Sequence, residues 1–418
     1  MKFKPNPLLY GANKDFFSTF RLAIRMKDTV DYALLSRSVE QAIARYPYFC
    51  VFPERDGENL ILRYNKRPLP VFPDDRAVTL GSNESGGHLI SFGCKDKTIF
   101  IDGSHYIADG VGIDPLMKSL LCLYVSNRYG REGLSTERIR MPDSSVLSEE
   151  HAYPFPDRAI ESEDLDILPE LPEEVYGLDS EAFDNKALYA YHLHIPQKAM
   201  MTKASSSDGS PVSFLAVLLY RAIHRLDPDI DKPIVAHVQH QYRAALRTPL
   251  THHSLVSYIP VTLAPRISKW DVGKQNTVVR GQILLKGGYE ADIAAVNRLI
   301  EAFPREASFA DRKIAMARYA EESIRGKTFG ISYVGKMDWC GLERYVEDLH
   351  IYIGEKYTKN MLLIEVMTVG EDFSLTFMQS GRGKKYLNAF VGELRALDIP
   401  ISLVGEENYK LCDTSLNL

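Results

Sequence analysis

Between residues 142 and 184 the chain carries fourteen acidic side chains against the single basic Arg158, together with five prolines and weak apolar periodicity. Such a stretch has too little apolar surface to offset the entropy of ordering it, so it reads as a solvated linker draped between two cores. No other feature constrains the fold as strongly. It divides the 418 residues into a first half, 1–141, and a second half, 185–418, each long enough to bury a core of its own.

Both halves mix strand and helix patterns. In the first, an extended segment around residues 16–25 precedes a helically spaced run over 31–43, with Asp31 as its N-cap and Pro47 as its stop. Strand-like runs at 89–92 and 97–101 flank a turn over 93–96, and the second run delivers the chain to Asp102-Gly103-Ser104-His105. Helical spacing resumes at 113–124. The second half opens with a strand at 187–195 and a helix at 212–224, introduced by Ser210 as N-cap and Pro211 in the first turn. Strands at 234–239, 255–263, 331–334, 349–353, 362–368 and 373–379 follow, with helices at 293–303, 312–325 and 385–397. Strict βα alternation is absent, so the predicted fold class is α+β in two domains.

Composition excludes several functions. Charged residues make up 25% of the chain and the net charge is only −5, so no chain-wide basic field exists to hold nucleic acid or anionic lipid. No window approaches the ~20 apolar residues of a membrane span, and residues 1–10 precede no signal-peptide core. The five cysteines, Cys50, Cys94, Cys122, Cys340 and Cys412, show neither disulfide-framework nor zinc-ligand spacing, which fits a cytoplasmic protein. His252 and His253 are adjacent without further spaced ligands, and no metal is assigned.

The segment Ser104-His105-Tyr106-Ile107-Ala108-Asp109-Gly110 is the one constellation with chemistry in it. A histidine of unperturbed pKa about 6.5 is a neutral base at cell pH, suited to taking a proton from a hydroxyl or amine. Asp109 is placed to orient the loop or its histidine, and Gly110 to let the backbone turn tightly before the next helix.

These residues resemble the His-x-x-x-Asp-Gly signature of the coenzyme A-dependent acyltransferase superfamily, which includes chloramphenicol acetyltransferase, alcohol acetyltransferases and the condensation domains of peptide synthetases. A second histidine often precedes the signature, and here Ser104 stands in its place. The motif lies about a quarter of the way along the chain, as in the monomeric two-domain condensation and alcohol-acetyltransferase branch. Arg45-Tyr46-Pro47 resembles the family's Arg-Tyr-Pro after its first helix, and the strand ending in Arg243 resembles the one that ends in its structural arginine. Ser332-Tyr333-Val334-Gly335 is similar to the family's Ser-Asn-x-Gly strand.

The resemblance implies two chloramphenicol acetyltransferase-like domains forming a pseudo-dimer, with mixed sheets and an active-site channel between them. It implies His105 as general base, Asp109 paired with Arg243 in a structural role, and Ser332 as a donor to the oxyanion. The basic turn holding Arg382 and Lys384 reads either as a contact for coenzyme A phosphates or as a solvated cap of the last helix. No Ser or Cys nucleophile shows an elbow or Cys/His signature, so direct transfer from acyl-coenzyme A to a small acceptor is expected, without a permanently bound cofactor. Two alternatives stand beside it: a condensation-type domain whose donor rides on a carrier protein, and a non-catalytic homologue that binds a ligand in the same cleft.

Overall fold

The computed structural model describes residues 2–12, 18–161, 171–323, 325–355 and 360–414. Strand β1 (Lys2–Phe3) and a single-turn helix at Pro7–Gly11 lead into β2 (Ser18–Met26), helix α1 (Tyr32–Ile43) and the hairpin of β3 (Val51–Asp56) and β4 (Asn59–Tyr64). A short β5 (Val71–Phe72), the hairpin of β6 (Ile90–Lys95) and β7 (Thr98–Ser104), and α2 (Gly110–Tyr129) complete the first half. The second half runs β8 (Leu188–Pro196), α3 (Gln197–Ser206), α4 (Pro211–Leu226), β9 (Ile234–Gln241), β10 (Val256–Leu263), α5 (Val272–Lys286), α6 (Tyr289–Ala302) and α7 (Phe309–Ser323). It ends with β11 (Phe329–Tyr333), β12 (Val346–Glu355), β13 (Leu362–Val369), β14 (Asp372–Gln379), α8 (Lys385–Ala396) and β15 (Ser402–Tyr409).

Local chemistry explains the helix starts. Asp31 accepts the N–H of Leu34 at 2.9 Å, and Ser210 accepts that of Ser213 at 3.2 Å with Pro211 in the first turn. Helix α2 begins three residues earlier than its apolar spacing indicates, because Asp109 caps it through the N–H of Gly112 at 2.8 Å. Helix α5 gave no apolar signal, since its buried positions include Gln275 and Asn276 while Leu284 and Leu285 point to solvent. Strand β15 was equally silent, being an exposed edge without alternation.

A seven-stranded sheet of order β10-β9-β11-β13-β14-β8-β15 anchors one lobe, and a five-stranded sheet of order β12-β2-β7-β6-β5 the other. Strand β12 comes from the second half of the sequence yet pairs antiparallel with β2, from Val346↔Met26 to Glu355↔Ser18. Helices α6 and α7 likewise give Ile293, Leu299 and Met316 to the core built on Leu22, Leu35 and Leu120. Helix α4 seats Phe214 and Leu218 against Ile331, Ile364 and Phe377 of the large sheet. The fold is therefore α+β and two-lobed, with the lobes exchanging elements rather than dividing cleanly at the linker. Among the described residues no helix is long and apolar enough to cross a membrane.

The stretch 142–184 departs from the solvated linker that its composition predicts. Among its described residues Glu150, Phe155, Leu178 and Phe183 are buried. Glu150 receives both Nη1 (2.9 Å) and Nη2 (2.7 Å) of Arg45, and the Tyr48 hydroxyl at 2.8 Å. Composition counts charges and does not see the partners that make burying one affordable in free energy.

Candidate active site

Strand β7 carries the chain to His105 through Gly103, where a Cβ would come within 2.4 Å of the Phe20 ring. The missing side chain lets that ring stand edge-on to His105, with centroids 5.8 Å apart. The His105 N–H donates to the Ser18 carbonyl at 2.9 Å, and a turn closed by Ile107 N–H on Ser104 O at 3.1 Å projects the imidazole off the strand end. Its Nδ1 lies 3.2 Å from Ser254 Oγ, on the loop before β10. Strand and loop from opposite halves of the chain thus hold one ring.

Asp109 is fully buried and saturated. Its Oδ1 accepts Gly112 N–H and Arg243 Nη2 (2.7 Å), and its Oδ2 accepts Arg243 Nη1 (2.8 Å) and Leu255 N–H (2.9 Å). Arg243 also donates to the carbonyl of His253 at 2.9 Å. Gly110 does not play the tight-turn role expected of it, for its φ is not positive and a Cβ there would meet only Val334, at 3.6 Å. Gly112 is the glycine the packing requires, since a Cβ would lie 2.1 Å from the His252 carbonyl oxygen.

His252 stacks on Tyr48 with centroids 4.4 Å apart, and its Nδ1 lies 2.8 Å from the Glu150 carbonyl. Burial drives the His252 pKa down to about 4 and lowers that of His253, so both rings are neutral packing groups. Burial opposes the charge of Glu150, yet hydrogen bonds from Arg45 and Tyr48 outweigh it and hold its pKa at about 2. The Arg45-Tyr46-Pro47 motif and the His252 loop are thereby joined through one acid. Among the described residues no group of three or more His, Cys, Asp or Glu side chains could hold a metal ion.

His105 lines a cavity of about 120 Å³ between the lobes, with Gln239 and Tyr258 from the large sheet and Leu299 and Tyr319 from α6 and α7. Tyr258 and Tyr319 also wall a wider cavity of about 230 Å³, where Lys286, Asp292 and Arg298 stand. Ser332 is buried on β11, and the wall of the His105 cavity does not include it among the described residues. Its register partner on β13 is Glu365. That carboxyl is buried, and burial raises its pKa to about 8, a shift that the Ser332 hydroxyl beside it partly offsets.

Arg382 and Lys384 are placed away from these cavities. Arg382 Nη2 lies 3.4 Å from Glu406 of β15, and Lys384 pairs with the same carboxylate. An acid one helix later in the chain, invisible to local reading, takes up the charge assigned to coenzyme phosphates. Sequence reasoning also missed Ser254, Gln239 and Tyr258. The two glycines flanking the motif, Gly103 and Gly112, were the signal that close backbone packing occurs there.

Two sheet-based lobes with a cavity between them are a fold that this chain shares with several solved structures. Solved structures sharing it include F. sporotrichioides TRI101 complexed with coenzyme A and T-2, at 12% identity and TM-score 0.59, over 97% of this chain and 100% of that one. Polyketide synthase associated protein 5 from Mycobacterium tuberculosis is similar at 12% identity and TM-score 0.58, over 93% and 96% of the two chains. The first condensation domain of the CDA synthetase is similar at 14% identity and TM-score 0.58, over 91% and 92%. No family model matches the chain, and no curated protein does.

Proposed function

We propose that this protein is an acyltransferase that moves an acyl group from a coenzyme A thioester to a hydroxyl or amine of a small acceptor, with His105 as general base. The observation that carries this reading is the imidazole held by Ser254 in the cavity between the lobes. Its fold is shared with enzymes crystallised with coenzyme A. With Ser254 accepting from Nδ1–H, Nε2 is the basic nitrogen. It takes the acceptor proton as the acceptor oxygen or nitrogen bonds to the thioester carbon. The tetrahedral oxyanion collapses, the carbon–sulfur bond breaks, and the imidazolium returns the proton to the thiolate.

Ser332 is the candidate oxyanion donor on β11. Lys286 and Arg298, at the wider cavity, replace Arg382 and Lys384 as the candidate contacts for the coenzyme phosphates. The likeness to condensation domains supports a second reading, a donor tethered to a carrier protein. Incubating the protein with acyl-coenzyme A donors, a thiol reagent and mixed alcohols and amines tests the first reading. Thiol release that needs an acceptor supports it, and turnover only with a carrier-bound thioester selects the second.

A further inference from the structure

The channel changes character at one place. Gln239, Tyr258 and Ile353, which wall the His105 cavity, also open onto a side cavity of about 30 Å³ bounded by Gly330, Met361, Leu362 and Leu363, with His237 and Lys327 at its rim. Tyr258 stands at the junction of all three cavities. It is stacked on His237 with centroids 5.5 Å apart, and Lys327 Nζ lies 5.8 Å from its ring centroid. Gly330 faces Leu363 across the β11–β13 pair, and a Cβ at Gly330 would come within 2.7 Å of Leu363 Cδ1.

We infer that this side cavity receives the acyl chain of the thioester, and that Leu363 and Gly330 limit the chain to a few carbons. The inference rests on the acyltransferase reading. A thioester carbon beside His105 must send its apolar tail somewhere, and each methylene buried against aliphatic side chains is worth roughly fourfold in affinity. The wider cavity carries Lys286, Asp292, Arg298 and Glu322 against the single Lys327 of the side cavity, so a tail there would strip water from more charges. At about 10–15 Å³ for each water-sized group, the side cavity holds two or three such groups, the size of an acetyl or propionyl chain. Removing atoms from Leu363 or Met361 widens it, whereas the wall at Gly330 is already backbone.

The test is calorimetric titration of the whole protein with free coenzyme A and its S-ethyl, S-butyl and S-octyl thioethers, which bind without reacting. In the wild type, affinity should rise from free coenzyme A to the ethyl thioether and fall at least tenfold by the octyl. Leu363→Ala should move that fall to longer chains and tighten the butyl thioether about tenfold, leaving free coenzyme A unchanged. Met361→Ala opens the same cavity and should shift the profile likewise if Leu363→Ala does not fold. A chain-length profile that is the same in wild type and both variants overturns the side cavity as the acyl site while the acyltransferase reading stands. No binding of free coenzyme A or any thioether overturns both.

Discussion

Asp109 and Arg243 are joined by two hydrogen bonds, at 2.7 and 2.8 Å, across 134 residues of chain, and both side chains are almost fully buried. The same carboxylate caps α2 and accepts the N–H of Leu255, so one acid fixes the loop after His105 to the segment that supplies Ser254. Removing one partner of a buried pair strands the other charge and costs about 3–5 kcal/mol. Asp109→Asn and Arg243→Met should each lower the melting temperature and activity, and the double variant should lose less than their sum. Additive losses in that thermal-unfolding cycle would mean the two are uncoupled.

Replacing His105 by Ala should cut kcat by about 10²–10⁴ with the melting temperature unchanged, because the ring lines a cavity rather than a core. Ser332→Ala should cut it by about 10² if that hydroxyl meets the oxyanion. Steady-state thiol release, alongside thermal melts, reads both.

Glu150→Gln should destabilise the protein by about 3 kcal/mol or more, since Arg45 would lose a buried counter-charge. The acid's pKa is held down to about 2, so its contribution is complete above the unfolded value of about 4.3 and is lost as pH falls from there towards 2. Urea unfolding of the wild type should lose stability through that window, and Glu150→Gln should flatten the loss.

Glycine substitutions should separate motif from packing. Gly112→Ala drives a Cβ into the His252 carbonyl and should cost several kcal/mol, whereas Gly110→Ala makes an ordinary contact with Val334 and should be close to neutral. Equal melting temperatures for the two variants would contradict the close packing at Gly112.

Burial raises the Glu365 pKa to about 8, and the sign of its pH effect follows. Below about pH 4.5 the folded and unfolded chains both hold the proton; as pH rises towards 8 only the unfolded chain gives it up, which favours unfolding. Glu365→Gln should therefore stabilise the protein by roughly a few kcal/mol at pH 8 and by nothing at pH 4. Chemical denaturation at the two pH values decides it.

The sequence by itself determined what depends on near neighbours: α1 and α4 with their caps at Asp31 and Ser210, most strands, and a histidine at the end of β7. It also pointed, by family resemblance, to Arg243 beside Asp109. Tertiary structure decided whatever depends on partners distant in the chain. Acidic Glu150 is buried because Arg45 and Tyr48 meet it, and Arg382 and Lys384 turn outward because Glu406 lies across from them. Strand β12 joins β2 because that edge of the small sheet offers unpaired backbone groups and an apolar face, which no window of local sequence records. The cavity is of the same kind: Ser254, Gln239 and Tyr258 reach His105 only once the two lobes have packed.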